Sequence, residues 1–217
     1  MKDKKIPIFI VEDQPKILKN LVKLLSGSDA VQITGQALSG EDAIKQLESS
    51  GAEVVLLDLG MPGMDGIETT KQIKKRWPSK EVLIFTIFDE ENKVLEAIQA
   101  GASGYLLKGM EAEKIIEAIK DVHEGGSVIQ PSLARSLLRH FKEQKQPSGE
   151  PNPGLTPREV EILQIIAKGL SNAEAAKVLG ISRATIRTHL EHIYTKLSVT
   201  NRVEAITEGI RQGLIDV

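Results

Sequence analysis

The strongest constraint on the fold is an alternation that fills the first 124 residues. Short, continuous apolar runs, several rich in β-branched residues, fall at residues 6–11, 31–34, 54–57, 82–86 and 104–107. Between them apolar side chains recur at helical spacing. Examples are Leu18, Leu21, Val22 and Leu25, then Ala43, Ile44 and Leu47, then Ile67, Thr70 and Ile73. Val94, Ala97 and Ile98 follow, and then Ile115, Ile116, Ala118, Ile119 and Val122. Strands without polar alternation are buried on both faces, which a parallel sheet sandwiched between helices provides. Right-handed crossovers leave few topologies. The pattern predicts an α/β flavodoxin-like domain: five parallel strands in the order 2-1-3-4-5, with helices on both faces.

The alternation then stops. Residues 143–154 are polar and rich in proline and glycine, the composition of a flexible linker, and a short helix over residues 131–141 is expected before it. Beyond the linker the pattern is all-helical. Thr156-Pro157-Arg158-Glu159 and Ser171 with Glu174 read as capping boxes, Ser182 as the cap of a third helix reaching Leu197, and Asn201 with Glu204 as the start of a fourth. The expected organisation is a front domain over 1–124, a connector over 125–154 and a small four-helix domain over 155–217. The chain carries no cysteine, which excludes disulfides and thiolate metal sites and suits a reducing compartment. The apolar run after the basic start meets Glu12 and Asp13 almost at once, so neither a signal peptide nor a membrane span is expected. The net charge of −2 hides an asymmetry: −5 over residues 1–130, +2 over 131–154 and +1 over 155–217. Charge alone does not mark the back domain as a nucleic-acid binder.

Ligands of such sheets sit at the carboxyl ends of the strands. Glu12 and Asp13 follow the first strand there, Asp58 ends the third, Thr86 ends the fourth and Lys108 follows the fifth. Three carboxylates brought that close repel one another or recruit a cation. An oxygen-only set suits Mg2+. The chemistry fits phosphoryl transfer to a carboxylate: Asp58 as nucleophile, Lys108 as a second positive contact, and the Thr86 hydroxyl as donor to a phosphoryl oxygen. Taken singly, Asp65 reads as a helix cap, Asp89 as a solvated helix start, and Phe88 as a packing or interface residue.

Four stretches carry a resemblance. They are Ile10-Val11-Glu12-Asp13, the run Leu56-Leu57-Asp58-Leu59-Gly60-Met61-Pro62-Gly63-Met64-Asp65-Gly66, Ile84-Phe85-Thr86, and Ala100 to Lys108. Together they make residues 1–124 similar to the receiver domain of two-component response regulators. The resemblance implies that a partner histidine kinase phosphorylates Asp58. It also implies that Asp13, Asp58 and the Gly60 carbonyl hold magnesium, with Glu12 acting mainly through water. Thr86 and Tyr105 would form a switch pair in which the hydroxyl moves toward phosphate and the ring follows inward. Many receivers have proline after the lysine; here the residue is Gly109.

In the back domain, helix, Leu179-Gly180-Ile181-Ser182 turn, helix is helix-turn-helix spacing. Ile186, Leu190, Ile193 and Leu197 form the inward stripe of the third helix. Its other face presents Arg183, Arg187, Thr188, Glu191 and Thr195, and such a helix can enter a major groove with its amino-terminal half reading base edges. Ser182, Thr185 and Lys196 are better placed for phosphates. His189 and His192 read as packing or surface residues. Residues 155–213 resemble the LuxR-type domain of the NarL/FixJ class, through Leu155 to Glu159, Ile166 to Glu174, Leu179 to Ser182, Thr185 to Leu190, Ile193-Tyr194, Lys196-Leu197 and Asn201 to Ala205. Ala175, where isoleucine is usual, and Glu191 depart from that pattern.

The resemblances imply a cytoplasmic transcription factor rather than an enzyme. It would use phosphorylation to control sequence-specific binding to double-stranded promoter DNA, as a homodimer on a two-fold site. Three other readings stay open: an aspartyl phosphotransferase or phosphatase, a flavodoxin-like cofactor binder, and a regulator working without phosphate. The first would want a second acid two residues after Asp58, where Gly60 stands. The second would want a glycine- or hydroxyl-rich loop in place of Glu12-Asp13-Gln14-Pro15.

Overall fold

The computed structural model describes residues 5–129 and 154–215. The expected helix over 131–141 and nearly all of the linker lie outside the described residues. The front domain is a parallel sheet of β1 (Ile6–Val11), β2 (Val31–Ala37), β3 (Val54–Leu57), β4 (Glu81–Thr86), β5 (Gly104–Leu107) and β6 (Val128–Ile129). The order is β2-β1-β3-β4-β5-β6. Five strands fall in the expected order. The sixth is a two-residue strand beside β5, in the stretch expected to be connector. Two residues carry no periodicity, so no pattern could have announced it.

Five helices cover the sheet: α1 (Pro15–Ser26), α2 (Gly40–Ser50), α3 (Gly66–Arg76), α4 (Glu91–Gln99) and α5 (Ala112–His123). Successive residues of a strand face opposite ways. Phe9, Val55, Leu57 and Ile84 therefore enter the core under α2, α3 and α4, while Ile8, Ile10, Leu56 and Leu83 enter the core under α1 and α5. Both faces are buried, which is why the strands read as unbroken apolar runs.

Register sets the site. Val11 pairs with Leu57, so the residues just past both strands converge, and the Asp58 amide donates to the Val11 carbonyl at 3.0 Å. Thr86 pairs with Leu107, and the Lys108 amide donates to the Thr86 carbonyl at 2.7 Å. Asp65 caps α3 through the Glu68 amide at 2.8 Å, as its sequence position predicts.

The back domain holds α6 (Pro157–Ala167), α7 (Asn172–Leu179), α8 (Arg183–Leu197) and α9 (Arg202–Arg211). Both expected capping boxes are formed, at Thr156/Glu159 and Ser171/Glu174. Ser182 and Asn201 accept from the amides of Thr185 and Glu204 and cap α8 and α9. Ile186, Leu190, Ile193 and Leu197 are buried with Ile162, Leu163 and Ile166 in one core. Ala175 is fully buried in that core. Among the described residues no helix is long and apolar enough to cross a membrane.

Candidate functional site

The structure brings the strand-end residues into one pocket. Lys108 Nζ lies 2.6 Å from Glu12 Oε2 and 2.8 Å from Asp58 Oδ2, so one ammonium bridges two carboxylates. Asp58 Oδ1 accepts from the Leu59 amide at 2.8 Å, which fixes the plane of the carboxylate. Ligand-capable oxygens of Glu12, Asp13 and Asp58 all lie within 4.8 Å of one another. Glu12 and Asp58 are buried. Burial pushes the Glu12 carboxyl above its ordinary value, with neighbouring Asp58 adding to the rise, and the Lys108 contact only partly opposes it. For Lys108, burial pulls the ammonium down, but the hydrogen bonds to Asp58 and Glu12 outweigh that and leave it raised.

Two oxygens mark what is missing from the protein's own bonding. Asp13 Oδ1 and Thr86 Oγ1 are buried and have no hydrogen-bond partner. Buried polar atoms are normally satisfied, and exceptions concentrate where a ligand or ion completes the set. An all-oxygen cluster with an orphaned carboxylate oxygen fits a small hard cation. An orphaned hydroxyl at the end of β4 fits an acceptor oxygen on a transferring group.

Tyr105 is fully buried, and its hydroxyl donates to the Phe88 carbonyl at 2.9 Å. The ring is thus inward in this structure. Burial, then Glu90, Asp58 and Asp89, push its phenol well above the usual range, so it stays a donor. The backbone at Gly109 has φ of +100°. Proline, with φ fixed near −65°, cannot occupy that conformation. The departure from the receiver pattern therefore matches a different loop path after β5.

In α8 the expected outer residues Arg183, Thr185, Arg187, Thr188 and Glu191 are exposed, as is Ser182 at its cap. Glu191 lies 3.5 Å from Arg187, one helical turn away. Lys196 reaches the buried Glu159 carboxylate of the α6 capping box at 2.7 Å. Periodicity missed that partner because 37 residues separate the two.

Sequence reasoning also missed the contacts between the domains. A cleft of about 980 Å³ separates them, lined by Glu53, Glu81 and Glu124 on the receiver side and by Arg183, Arg187 and Leu190 of α8. Arg183 lies 3.7 Å from Glu124. The Asn201 side-chain amide donates to the Ile98 carbonyl at the end of α4, 2.8 Å away. Arg202, buried, donates to the Ile166 carbonyl at 2.8 Å, to the Leu170 carbonyl, and to the Gly125 carbonyl across the domain boundary at 3.4 Å. Val203 packs against the receiver core.

An acid-and-lysine pocket on a doubly wound sheet, joined to a helix-turn-helix unit, defines the class of two-domain response regulators. Comparison with known proteins agrees. Residues 8–120 match the response regulator receiver domain, and residues 153–208 match the family described as bacterial regulatory proteins, luxR family. The chain is 36% identical to the transcriptional regulatory protein LnrK of Bacillus subtilis over 216 residues, covering 96% of this chain and 98% of that one. The crystal structure of ChrA, a response regulator of a heme-sensing two-component system, is 36% identical with a TM-score of 0.53, covering 97% of this chain and 99% of that one. The response regulator RcsB in its DNA complex is 25% identical with a TM-score of 0.58, covering 96% of this chain and 99% of that one. The chain belongs to the response regulators that join a receiver to a LuxR-type DNA-binding domain, and it is a transcription regulator rather than a classical enzyme.

Proposed function

We propose that Asp58 accepts a phosphoryl group from a histidine kinase, and that this charge decides whether α8 is free to read DNA. The observation that carries the reading is the Lys108 bridge between Glu12 and Asp58, with the orphaned Asp13 and Thr86 oxygens beside it. Asp13, Asp58 and the Gly60 carbonyl would hold Mg2+, with Glu12 acting through water. Bound there, the cation would offset charge on the transferring group. Lys108 holds the reactive carboxylate in place and supplies positive charge. Thr86 donates to a phosphoryl oxygen. The acyl phosphate forms as an Asp58 carboxylate oxygen bonds to phosphorus and the donor nitrogen leaves.

Phosphorylation adds about −1.5 to −2 charge at one strand end. It acts by favouring one of two receiver conformations that already exist. Thr86 and Tyr105 relay it to α4, whose far end accepts the Asn201 hydrogen bond. Arg183 of α8 lies 3.7 Å from Glu124 of the receiver and Arg187 lines the same cleft, so presenting both to base edges requires the domains to part. Arg183, Arg187, Thr188 and Glu191 then meet base edges, while Ser182, Thr185 and Lys196 meet phosphates. RcsB was solved as dimers bound to DNA, which supports a homodimer on a two-fold site here. The working partition is receiver 1–124, connector 125–154 and DNA-binding domain 155–217, acting in the cytoplasm where kinase and promoter meet.

The test is mass spectrometry of the full chain after treatment with phosphoramidate and Mg2+. The wild type gains one phosphoryl group, and Asp58→Asn gains none. Uptake by Asp58→Asn refutes the site. Binding to genomic fragments, compared with and without the donor, then reports the coupling.

A further inference from the structure

The cleft between the domains holds charge that the fold does not use. At about 980 Å³ it admits a molecule of nucleotide size, since small-ligand pockets run about 300–1,000 Å³. Cations outnumber acids among the side chains that line it. Each acid there already has a partner. Glu53 takes His123 at 2.7 Å and Glu81 takes Lys74 at 3.5 Å, while Glu124 and Glu191 take Arg183 and Arg187. Arg202 donates to carbonyls and to Asn172. Lys71 and Lys75 remain. They are exposed, four residues apart on one face of α3, and among the described residues neither has an ion pair or a hydrogen bond. A second observation points to a ligand. Ser127 lines the same cleft, and its hydroxyl oxygen is buried with no hydrogen-bond partner among the described residues. Such orphaned atoms concentrate where a bound group completes the set. Half-buried Tyr194 and Val199 give the back-domain side of the cleft an apolar wall.

We propose that this cleft is a second ligand site, for an organic polyphosphate anion of nucleotide size, and that its occupant holds the domains together. Lysine binds phosphate as a point charge, and side chains one helical turn apart, about 5–6 Å between Cβ atoms, suit charge spread over neighbouring phosphates. The Ser127 hydroxyl donates to a phosphate oxygen, and the organic body lies against Tyr194 and Val199. Both domains build the site, so it exists only in the docked form. The ligand therefore favours the form that withholds α8. By linkage it weakens DNA binding by the same factor by which DNA weakens its own. The site is independent of the phosphoacceptor reading: the three carboxylates of the Asp58 pocket repel a polyphosphate, and that pocket lies at the other end of the strands.

The experiment is calorimetric titration of the full chain in EDTA at fixed ionic strength, with ATP, inorganic tripolyphosphate and adenosine as probes. EDTA keeps Mg2+, and with it the Asp58 chemistry, out of the measurement. ATP is expected to bind one to one, tripolyphosphate more weakly, and adenosine not at all. The double variant Lys71→Gln/Lys75→Gln changes only exposed side chains outside the DNA-reading face. It keeps the wild-type melting temperature and DNA affinity in the absence of ATP, and it weakens ATP binding roughly 5- to 30-fold. Ser127→Ala weakens ATP binding as well. Saturating ATP should loosen the wild type from genomic fragments and leave the lysine variant nearly unaffected. Direct competition for the arginines of α8 would persist in that variant, so this comparison separates the cleft from the reading face. The proposal is overturned if ATP does not bind, or if it binds the wild type and the lysine variant alike. Equal binding of ATP and tripolyphosphate also overturns it, because bare charge then accounts for the whole, and so does a tightening of DNA binding by ATP.

Discussion

At the scale of single residues, the pocket is a balance of burial against charge. Lys108 is the counter-charge for two buried carboxylates. Lys108→Ala leaves them unpaired, and breaking a buried pair from one side costs about 3–5 kcal/mol. Urea unfolding of that variant should show the loss at neutral pH, and Mg2+ should recover part of it. In the wild type Mg2+ should raise the unfolding free energy by about 2.7 kcal/mol at one hundred times its dissociation constant, because only the folded chain gathers the ligands. Asp13→Asn should abolish that gain. The raised Glu12 carboxyl sets the sign of a pH effect. A carboxyl raised by folding contributes stability that is full below its ordinary value of 4.5 and is lost as pH rises through the folded value. Glu12→Gln removes that loss, so its stability relative to wild type should improve from pH 4 to pH 8, as paired denaturation curves would measure. The identities of these residues were legible in the sequence because strand ends are legible. The inward Tyr105 ring and the place of Phe88 were not, since which way a loop side chain turns depends on a neighbour such as Gly60, 28 residues earlier in the chain.

At the scale of elements, the helices of the back domain announce themselves, because a cap is a local bond between residues three apart. Thr156, Ser171, Ser182 and Asn201 each form the cap that their spacing foretells. The two-residue strand β6 has no such signature and exists only because β5 offers an edge. Arg202 shows the same limit more sharply. Its sequence position marks it as the first residue of a helix, yet in the fold its buried guanidinium ties down the turn between α6 and α7 through the carbonyls of Ile166 and Leu170 and the side chain of Asn172. Arg202→Met keeps the aliphatic stem and removes every donor. The Ile166 carbonyl keeps the Gly169 amide, so the loss falls on the Leu170 carbonyl and the Asn172 side chain, and a buried group left without a partner costs about 1–3 kcal/mol. The melting temperature of the back domain should therefore fall by roughly 4–8 °C for each kcal/mol lost. Calorimetry should place that loss in the back domain's transition and leave the receiver's transition nearly unmoved. A uniform shift of both would mean that Arg202 acts mainly through its Gly125 contact across the boundary.

At the scale of the whole molecule, the two domains meet on the side of the receiver away from Asp58. Glu53, Glu81 and Glu124, near the amino-terminal ends of the strands and the end of α5, face the arginines of α8. The pocket and this interface lie at opposite ends of the same strands, and α4 also joins them: its loop at the start carries Phe88 and the Tyr105 bond, and its last turn accepts Asn201. The inward ring and the docked α8 coexist here, so inward rotation alone does not free the reader. The bond at the far end of α4 is one of the contacts that must yield, with Arg183 to Glu124 and Arg202 to Gly125. Asn201 tests this cleanly because its two halves do different work. Its side-chain oxygen caps α9 through the Glu204 amide, and its side-chain amide holds the Ile98 carbonyl. Asn201→Asp keeps the cap, for which aspartate serves as well as asparagine, but it turns a donor into an acceptor against a carbonyl. Losing a buried hydrogen bond in that way costs about 1–3 kcal/mol, and the whole of it falls on the docked form. The open population should rise roughly 5- to 150-fold, and apparent DNA affinity without phosphodonor rises with it until the open form predominates. Small-angle scattering should show a larger radius of gyration, and fragment binding should tighten while keeping the steep salt dependence of phosphate contacts. Asn201→Ala, which loses cap and donor together, should open the molecule as well but at a lower melting temperature of the back domain. If Asn201→Asp leaves both the radius and the affinity at wild-type values, α4 does not hold the domains together, and the contacts of Arg183 with Glu124 and of Arg202 with Gly125 must carry the closure instead.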